Sequence, residues 1–329
     1  MRKIIIISLL VLAVVFSCRK QIDIELPEYK EKLVVEGVIE TDQIPVIILT
    51  KSVGYFDPIN AETFANLFVH DAVVKINDGT KEVQLIELCI SDLSSDQVDA
   101  ISQATGISTE ELVGLSYCVY TTPFMLGENE TTYTLSVEHE GKKWTSTTTI
   151  PKPIPLDSAW FEVFEGEDTL GFVWAKLSDP AAETNNYRWF AQRINKYNEP
   201  GKNGELEPYI GLQKDNRFIA PIGSAFDDKF FNGISFEFNY YRGEEPNSAK
   251  PDDHEPFSGF FEVGDTVIVK FASIDRKSYL YLTVFEDQIA TEGSPFASPS
   301  TIPTNIEGDE PALGAFIGYA PSFHTVICK

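Results

Sequence analysis

The sequence predicts a mostly β chain. It reads as two β-sandwich-like bodies of the immunoglobulin/fibronectin-III kind, with a small helical insertion in the first and one helix in the second. Three observations lead there. Short runs dense in Val, Ile, Thr and aromatic residues recur, alternating apolar with polar positions in period two. Turn residues separate them, notably Asn77-Asp78-Gly79 and Gly141. A proline run, Pro151, Pro153 and Pro155, divides the series near its middle as a stiff extended linker over 151–156.

The chain opens on Arg2 and Lys3, followed by the apolar stretch Ile4 to Phe16. That stretch is shorter than the roughly 20 residues a helix needs to span a bilayer, and it fits the core of a signal peptide. Val15-Phe16-Ser17-Cys18 then has the pattern of a lipobox: a branched residue, a loose position, a small residue and cysteine. Residues 1–17 are therefore expected to be cleaved, and Cys18 to carry acyl chains such as palmitate on its thiol and amine. Each buried methylene is worth about 0.8 kcal/mol, so several chains anchor stably. An ordinary secretory signal with an incidental cysteine is the alternative. Residues 18–31 are polar, include Pro27, and read as a tether reaching roughly 40 Å when extended.

In the first body, 32–150, strands are expected over Lys32 to Glu40, Pro45 to Thr50, Ala72 to Ile76 and Lys81 to Glu87. A hairpin follows, with Tyr133, Leu135 and Val137 on one arm and Trp144, Ser146, Thr148 and Ile150 on the other. The stretch 91–116 breaks the rhythm. Ser94 with Gln97, and Ser108 with Glu111, have capping-box spacing, and Gly106 suits a helix end between them. Such an insertion either meets a partner or plugs an open sheet end. In the second body, 157–329, strands are expected over Ala159 to Phe164, Thr169 to Lys176, Tyr187 to Ile194, Ile234 to Tyr240 and Thr266 to Ser273. Asp275 to Ala290 fits a helix with Tyr279, Leu282, Phe285 and Ile289 as its stripe, and a short strand, Leu313 to Tyr319, closes the chain.

The 329 residues carry a net charge of −24, a balance that disfavours nucleic acid and anionic membrane surfaces as partners and suits a soluble exported body. With Cys18 lipidated, Cys89, Cys118 and Cys328 remain. Cys89 and Cys118 bracket one segment and form the candidate disulfide, leaving Cys328 as the odd thiol; three reduced thiols and a three-cysteine metal site are the alternatives. The four histidines, His70, His139, His254 and His324, sit in no metalloprotease motif, and nucleophile-elbow and phosphate-loop motifs are absent from the sequence. The expectation is a protein that is not an enzyme and has no cofactor, a dispersed hydrolase site being the weaker alternative. Asp252-Asp253-His254-Glu255 offers oxygen ligands without the alternate spacing of a calcium loop, so it reads as a solvated turn. Trp160, Trp174, Trp189 and Tyr240-Tyr241 read first as core, with stacking on sugar rings as the functional alternative and Tyr241 on the wet face. Asp157-Ser158-Ala159, Asp168-Thr169-Leu170 and Asp265-Thr266-Val267 resemble an Asp-Ser/Thr-aliphatic O-glycosylation acceptor at Ser158, Thr169 and Thr266.

Taken in order, the motifs resemble a known family. They are the lipobox, KLVVEGVI, PVIILTKSVGYF (Pro45 to Phe56), the A-V-V-K-I-x-D-G hairpin, Gly127 to Leu135, GKKWTSTTTIPKPIPLDS (Gly141 to Ser158), Asn305-Ile306-Glu307-Gly308 and Gly314-Ala315-Phe316-Ile317-Gly318. The chain resembles the Bacteroidota outer-membrane lipoprotein family catalogued as domain of unknown function 4249. The helical insertion between Cys89 and Cys118 and the Glu-Gly-Asp-Glu run at 307–310 depart from its usual pattern. The resemblance implies an accessory or binding subunit beside a TonB-dependent receptor in nutrient or metal uptake, and it hands over no catalytic residue. A cell-envelope adhesin or structural carbohydrate- or protein-binding lipoprotein is the alternative. Arg19 after the cysteine favours the outer membrane, with either its periplasmic or its surface face open.

Overall fold

The computed structural model describes residues 29–54, 64, 66–99, 109–114, 117–181, 183–196, 213–215, 217–243, 259–291 and 301–329. Lys32–Lys329 form one compact unit, and the residues up to Glu31 are a separate one. The expected signal peptide, Cys18 and nearly all of the expected tether lie outside the described residues.

Alternation builds the first strands. β1 (Leu33–Glu40) buries Leu33, Val35 and Ile39 and pairs antiparallel with β2 (Val46–Lys51), which buries Ile47 and Leu49. β3 (Val73–Asn77) and β4 (Glu82–Gln84) form the expected hairpin, its turn tied by Asp78 Oδ1, which accepts from the N–H groups of Thr80 and Lys81. The run 81–87 is not one strand, however. It bends at buried Leu85, whose N–H returns to the Val74 carbonyl, and β5 (Ile86–Cys89) continues in a different sheet. Changing sheets at a corner keeps the leucine in the core, which period two alone does not reveal.

The insertion has a 3-10 turn (Ile90–Asp92), helical residues 95–99 and α1 (Thr109–Gly114). Half of the first capping box is formed, with Ser94 N–H and Oγ donating to Gln97 Oε1 at 3.0 and 2.9 Å. Gly106 and Ser108 lie outside the described residues. Ile90, Val98 and Leu112 make a small core of their own with Leu93 and Tyr117. The chain returns as β6 (Cys118–Thr121), then β7 (Thr131–His139) and β8 (Lys142–Ile150). Glu140 and Gly141 both have positive φ, 50° and 75°, the requirement of a two-residue type I′ hairpin turn.

The second half supplies β9 (Ser158–Val163), β10 (Leu170–Ser178), β11 (Asn186–Arg193), β12 (Ala225–Asp227), β13 (Ser235–Tyr240), β14 (Phe261–Glu262) and β15 (Thr266–Ile274). It ends with helix α2 (Arg276–Ala290), β16 (Ile306–Gly308) and β17 (Leu313–Ile327). Three sheets result. The largest has eight strands in the order β12-β11-β15-β17-β1-β2-β6-β5; β16-β8-β7-β3-β4 form a second, and β9, β10, β13 and β14 a third.

On β17, Phe316 and Ala320 pack with the five-stranded sheet, while Val326, of the same parity, and Cys328 beyond it pack with the four-stranded one. Both smaller sheets therefore cover the same face of the large sheet. Ala315, Ile317 and Tyr319 turn to the opposite face, where α2 lays Leu282. The molecule is mostly β with sandwich-like halves, as expected, but the halves are not joined by a free linker. One sheet runs through both, and the 151–156 stretch is docked: Ile154 N–H donates to Ser273 Oγ at 3.2 Å, and Leu156 is buried in the second core.

The seam is β17, twice the length read from the sequence. Residues 313–319 pair parallel with β1, and residues 319–327 pair antiparallel with β15, so Tyr319 faces Glu40 on one side and Ile274 on the other. The strand runs on through Pro321, which lies past the last β1 pair, and a strand tolerates proline where no neighbour asks for its N–H. The α2 stripe is also displaced. Ser278, Leu282 and Glu286 are its buried residues, whereas Phe285 and Ile289 are exposed. Glu286 goes inside because Arg188 of β11 meets it as an ion pair and its Oε2 accepts from Gly223 N–H, a pairing invisible to periodicity.

Candidate functional site

The outward face of the four-stranded sheet is a grid of aromatic and polar side chains. Alternation sends Val173, Ala175 and Leu177 of β10 into the core and leaves Phe172, Trp174 and Lys176 outside, half-buried. Register then aligns two rows across β9, β10 and β13 and a third across β9 and β10. Trp160 lies opposite Trp174, which lies opposite Asn239; Ser158, Lys176 and Glu237 form the next row; Glu162 and Phe172 pair in the third. The two indole rings are 6.3 Å apart and within 17° of parallel. Trp160 Nε1 donates to Glu162 Oε1 at 2.6 Å, holding its ring. Phe164, Phe172 and Phe260 extend the aromatic surface, and Tyr241 follows Asn239 on the exposed side. Rings with hydroxyl, amide, ammonium and carboxylate groups beside them can stack on an apolar ring face and bond its polar rim.

The reading of aromatics as core holds for Trp189, fully buried, and for Tyr240, which packs against the second core. It fails for Trp160 and Trp174. Their strand looks the same in sequence; only the parity of its core-facing residues separates inside from outside.

A second cluster lies where β5 and β6 end. Cys89 and Cys118 face each other across the ladder and form a disulfide, Cα atoms 4.0 Å apart. His70 Nδ1 is 2.5 Å from Glu87 Oε1, and Cys89 Sγ is 3.6 Å from the same oxygen. Tyr120 OH donates to the Val69 carbonyl and accepts from Ala72 N–H, clamping the His70 loop on both sides; burial pushes its own pKa up to about 12. Glu87 and Cys89 are two apart on β5 and share one face of it, but nothing in the sequence brings His70 or Cys118 to them; the fold alone gathers those. Cys328 is a buried free thiol, pushed up to about 12 by desolvation.

Other charges inside the second half are structural staples. Asp215 takes a two-pronged contact from Arg193 and a third from Arg242, and Asp265 pairs with Lys214 at 2.8 Å. Lys270 pairs with Glu40 across the seam, under Phe190, Phe218 and Tyr319. Of the three acceptor tripeptides, Ser158 and Thr169 are exposed, while Thr266 is half-buried at the head of β15. Asp252-Asp253-His254-Glu255 and Cys18 lie outside the described residues. No described helix is long and apolar enough to cross a membrane.

A β body of one eight-stranded sheet backed by two smaller ones, with an open aromatic face and a disulfide-locked edge, defines a class of sandwich-like scaffold rather than a chemistry. The chain belongs to the family described as Domain of unknown function (DUF4249), which matches residues 19–323. No curated protein matches it.

Proposed function

We propose that this protein is a lipid-anchored, non-enzymatic binding subunit of the outer membrane, held through Cys18 and working beside a TonB-dependent receptor in uptake. The leader ending Val15-Phe16-Ser17-Cys18 supports the anchor, and the likeness of its motif order to outer-membrane lipoproteins supports the receptor. The observation that carries the binding role is the Trp160–Trp174 grid. An aromatic ring stacks on the C–H face of a pyranose, while Asn239, Glu237, Ser158 and Lys176 supply partners for its hydroxyls. The ligand class is thus a glycan. The same grid serves the second reading, a cell-envelope adhesin for carbohydrate.

Two measurements test this. In glycan-affinity electrophoresis or calorimetry with soluble polysaccharides, Trp174→Ala should weaken binding by roughly tenfold, about 1.4 kcal/mol, with the far-UV circular dichroism of the folded protein retained. Binding unchanged in Trp160→Ala and Trp174→Ala together rejects the grid. Crosslinking and co-purification from solubilised membranes should recover a TonB-dependent receptor. Its absence alongside glycan binding favours the adhesin. Cys18→Ala should lose uptake of labelled fatty acid.

A further inference from the structure

We infer that His70, Glu87, Cys89 and Cys118 form a redox-gated site for a thiophilic divalent cation of the zinc type, open only when the Cys89–Cys118 disulfide is reduced. The candidate ligand atoms of the four side chains, one ring nitrogen, one carboxylate oxygen and two sulfurs, all lie within 4.8 Å of one another. A tetrahedral zinc with bonds of about 2.0–2.3 Å spaces its ligand atoms by roughly 3.3–3.8 Å, so modest side-chain adjustment closes the shell. The donor set, two thiolates with an imidazole and a carboxylate, is one that zinc accepts and that magnesium or calcium does not.

The arrangement does not depend on the S–S bond. The β5–β6 ladder holds residues 86–89 opposite 118–121, so the sulfurs stay face to face once separated. His70 is held by the Tyr120 clamp on its loop, and Glu87 Oε2 accepts from Asp71 N–H at 3.1 Å, which orients the carboxylate as a supporting hydrogen bond orients a metal ligand. A disulfide alone requires neither group. The His70 side chain is 50 % exposed and that of Glu87 21 %, which gives a cation a path to the otherwise buried sulfurs.

The chemistry balances. A dithiol reductant gives two electrons and two protons to the Cys89–Cys118 bond. That bond breaks, two thiols form, and the reductant closes to its own disulfide. Binding of the cation then releases the two thiol protons to solvent, with neutral imidazole and carboxylate completing the shell. Because the same sulfurs serve both states, disulfide and metal exclude each other.

The test is a cobalt(II) titration of the full-length protein before and after reduction by a water-soluble phosphine, with far-UV circular dichroism recorded in parallel. The reduced protein should keep its fold and bind one equivalent, with thiolate-to-cobalt charge-transfer absorption and the strong visible bands of a tetrahedral site; the oxidised protein should show neither. His70→Ala and Glu87→Gln should each weaken binding by more than the roughly tenfold floor set by loss of an outer-shell partner. Cys89→Ser with Cys118→Ser should abolish the charge-transfer band, while Cys328→Ala leaves it unchanged. Four results overturn the assignment: no cobalt spectrum in folded, reduced protein; equal binding by the oxidised form; a spectrum that follows Cys328; or loss of the fold on reduction.

Discussion

His324 stands half-buried on β17 opposite Val269, and desolvation lowers its pKa below the ordinary imidazole value of 6.5. The folded protein therefore resists protonation that the unfolded chain accepts. The stability this ring contributes is complete above pH 6.5 and is lost as pH falls through the depressed folded value. Urea midpoints taken from pH 7.5 down to pH 5 should fall less steeply for His324→Gln than for the parent. Gly314 is a second residue-scale constraint. Its φ is +89°, and a Cβ there would sit 2.1 Å from the Val35 carbonyl oxygen, where β17 meets β1. Gly314→Ala should cost at least the roughly 1–3 kcal/mol of a strained backbone, read as a lowered urea midpoint with an unchanged slope. At this scale the sequence was partly legible. Cys89 and Cys118 stood out as a pair, and alternation puts Glu87 on the Cys89 face of β5, whereas His70 carried no signal, because its loop meets Glu87 only in the fold.

At the scale of elements, alternation exposed most strands, and an apolar stripe at helical spacing exposed α2. Asp275 does more than its N-cap role suggests. One carboxylate oxygen accepts from Ser278 N–H at 2.7 Å, and the other takes Thr149 N–H and Thr148 Oγ1 from β8. The cap thereby ties the helix to the first half of the molecule. A cap alone is worth about 1 kcal/mol, and each of the two further bonds adds the roughly 0.5–1.5 kcal/mol of a typical hydrogen bond. Asp275→Ala should therefore lose about 2–4 kcal/mol in equilibrium unfolding, well beyond an ordinary cap deletion. Period two failed where two strands adjoin without a turn residue, at Leu85, and where a strand runs on past Pro321 because its neighbour has already ended.

At the scale of the whole molecule, the proline run looked like a border, but the two cores share one sheet. Phe316, Ala320 and Ile306 complete the first core from the far end of the chain. A fragment spanning 32–156 lacks those residues and should not fold alone; its amide proton spectrum should be collapsed, and adding a peptide of 301–329 should not fully restore it, because β15 is missing too. The intact protein should unfold once, with tryptophan fluorescence and far-UV circular dichroism tracing coincident transitions. Composition could announce the β class, but pairing between strands so far apart in sequence leaves no local trace.

Val34 pairs with Leu313 and Glu40 with Tyr319. A ribosome releasing this chain from its amino end delivers β1 (Leu33–Glu40) long before its parallel partner β17 (Leu313–Ile327). Throughout that interval one flank of β1 stands without a neighbour, an edge open to mispairing. The large sheet is therefore completed late, and any holding factor that shields β1 must remain until β17 arrives.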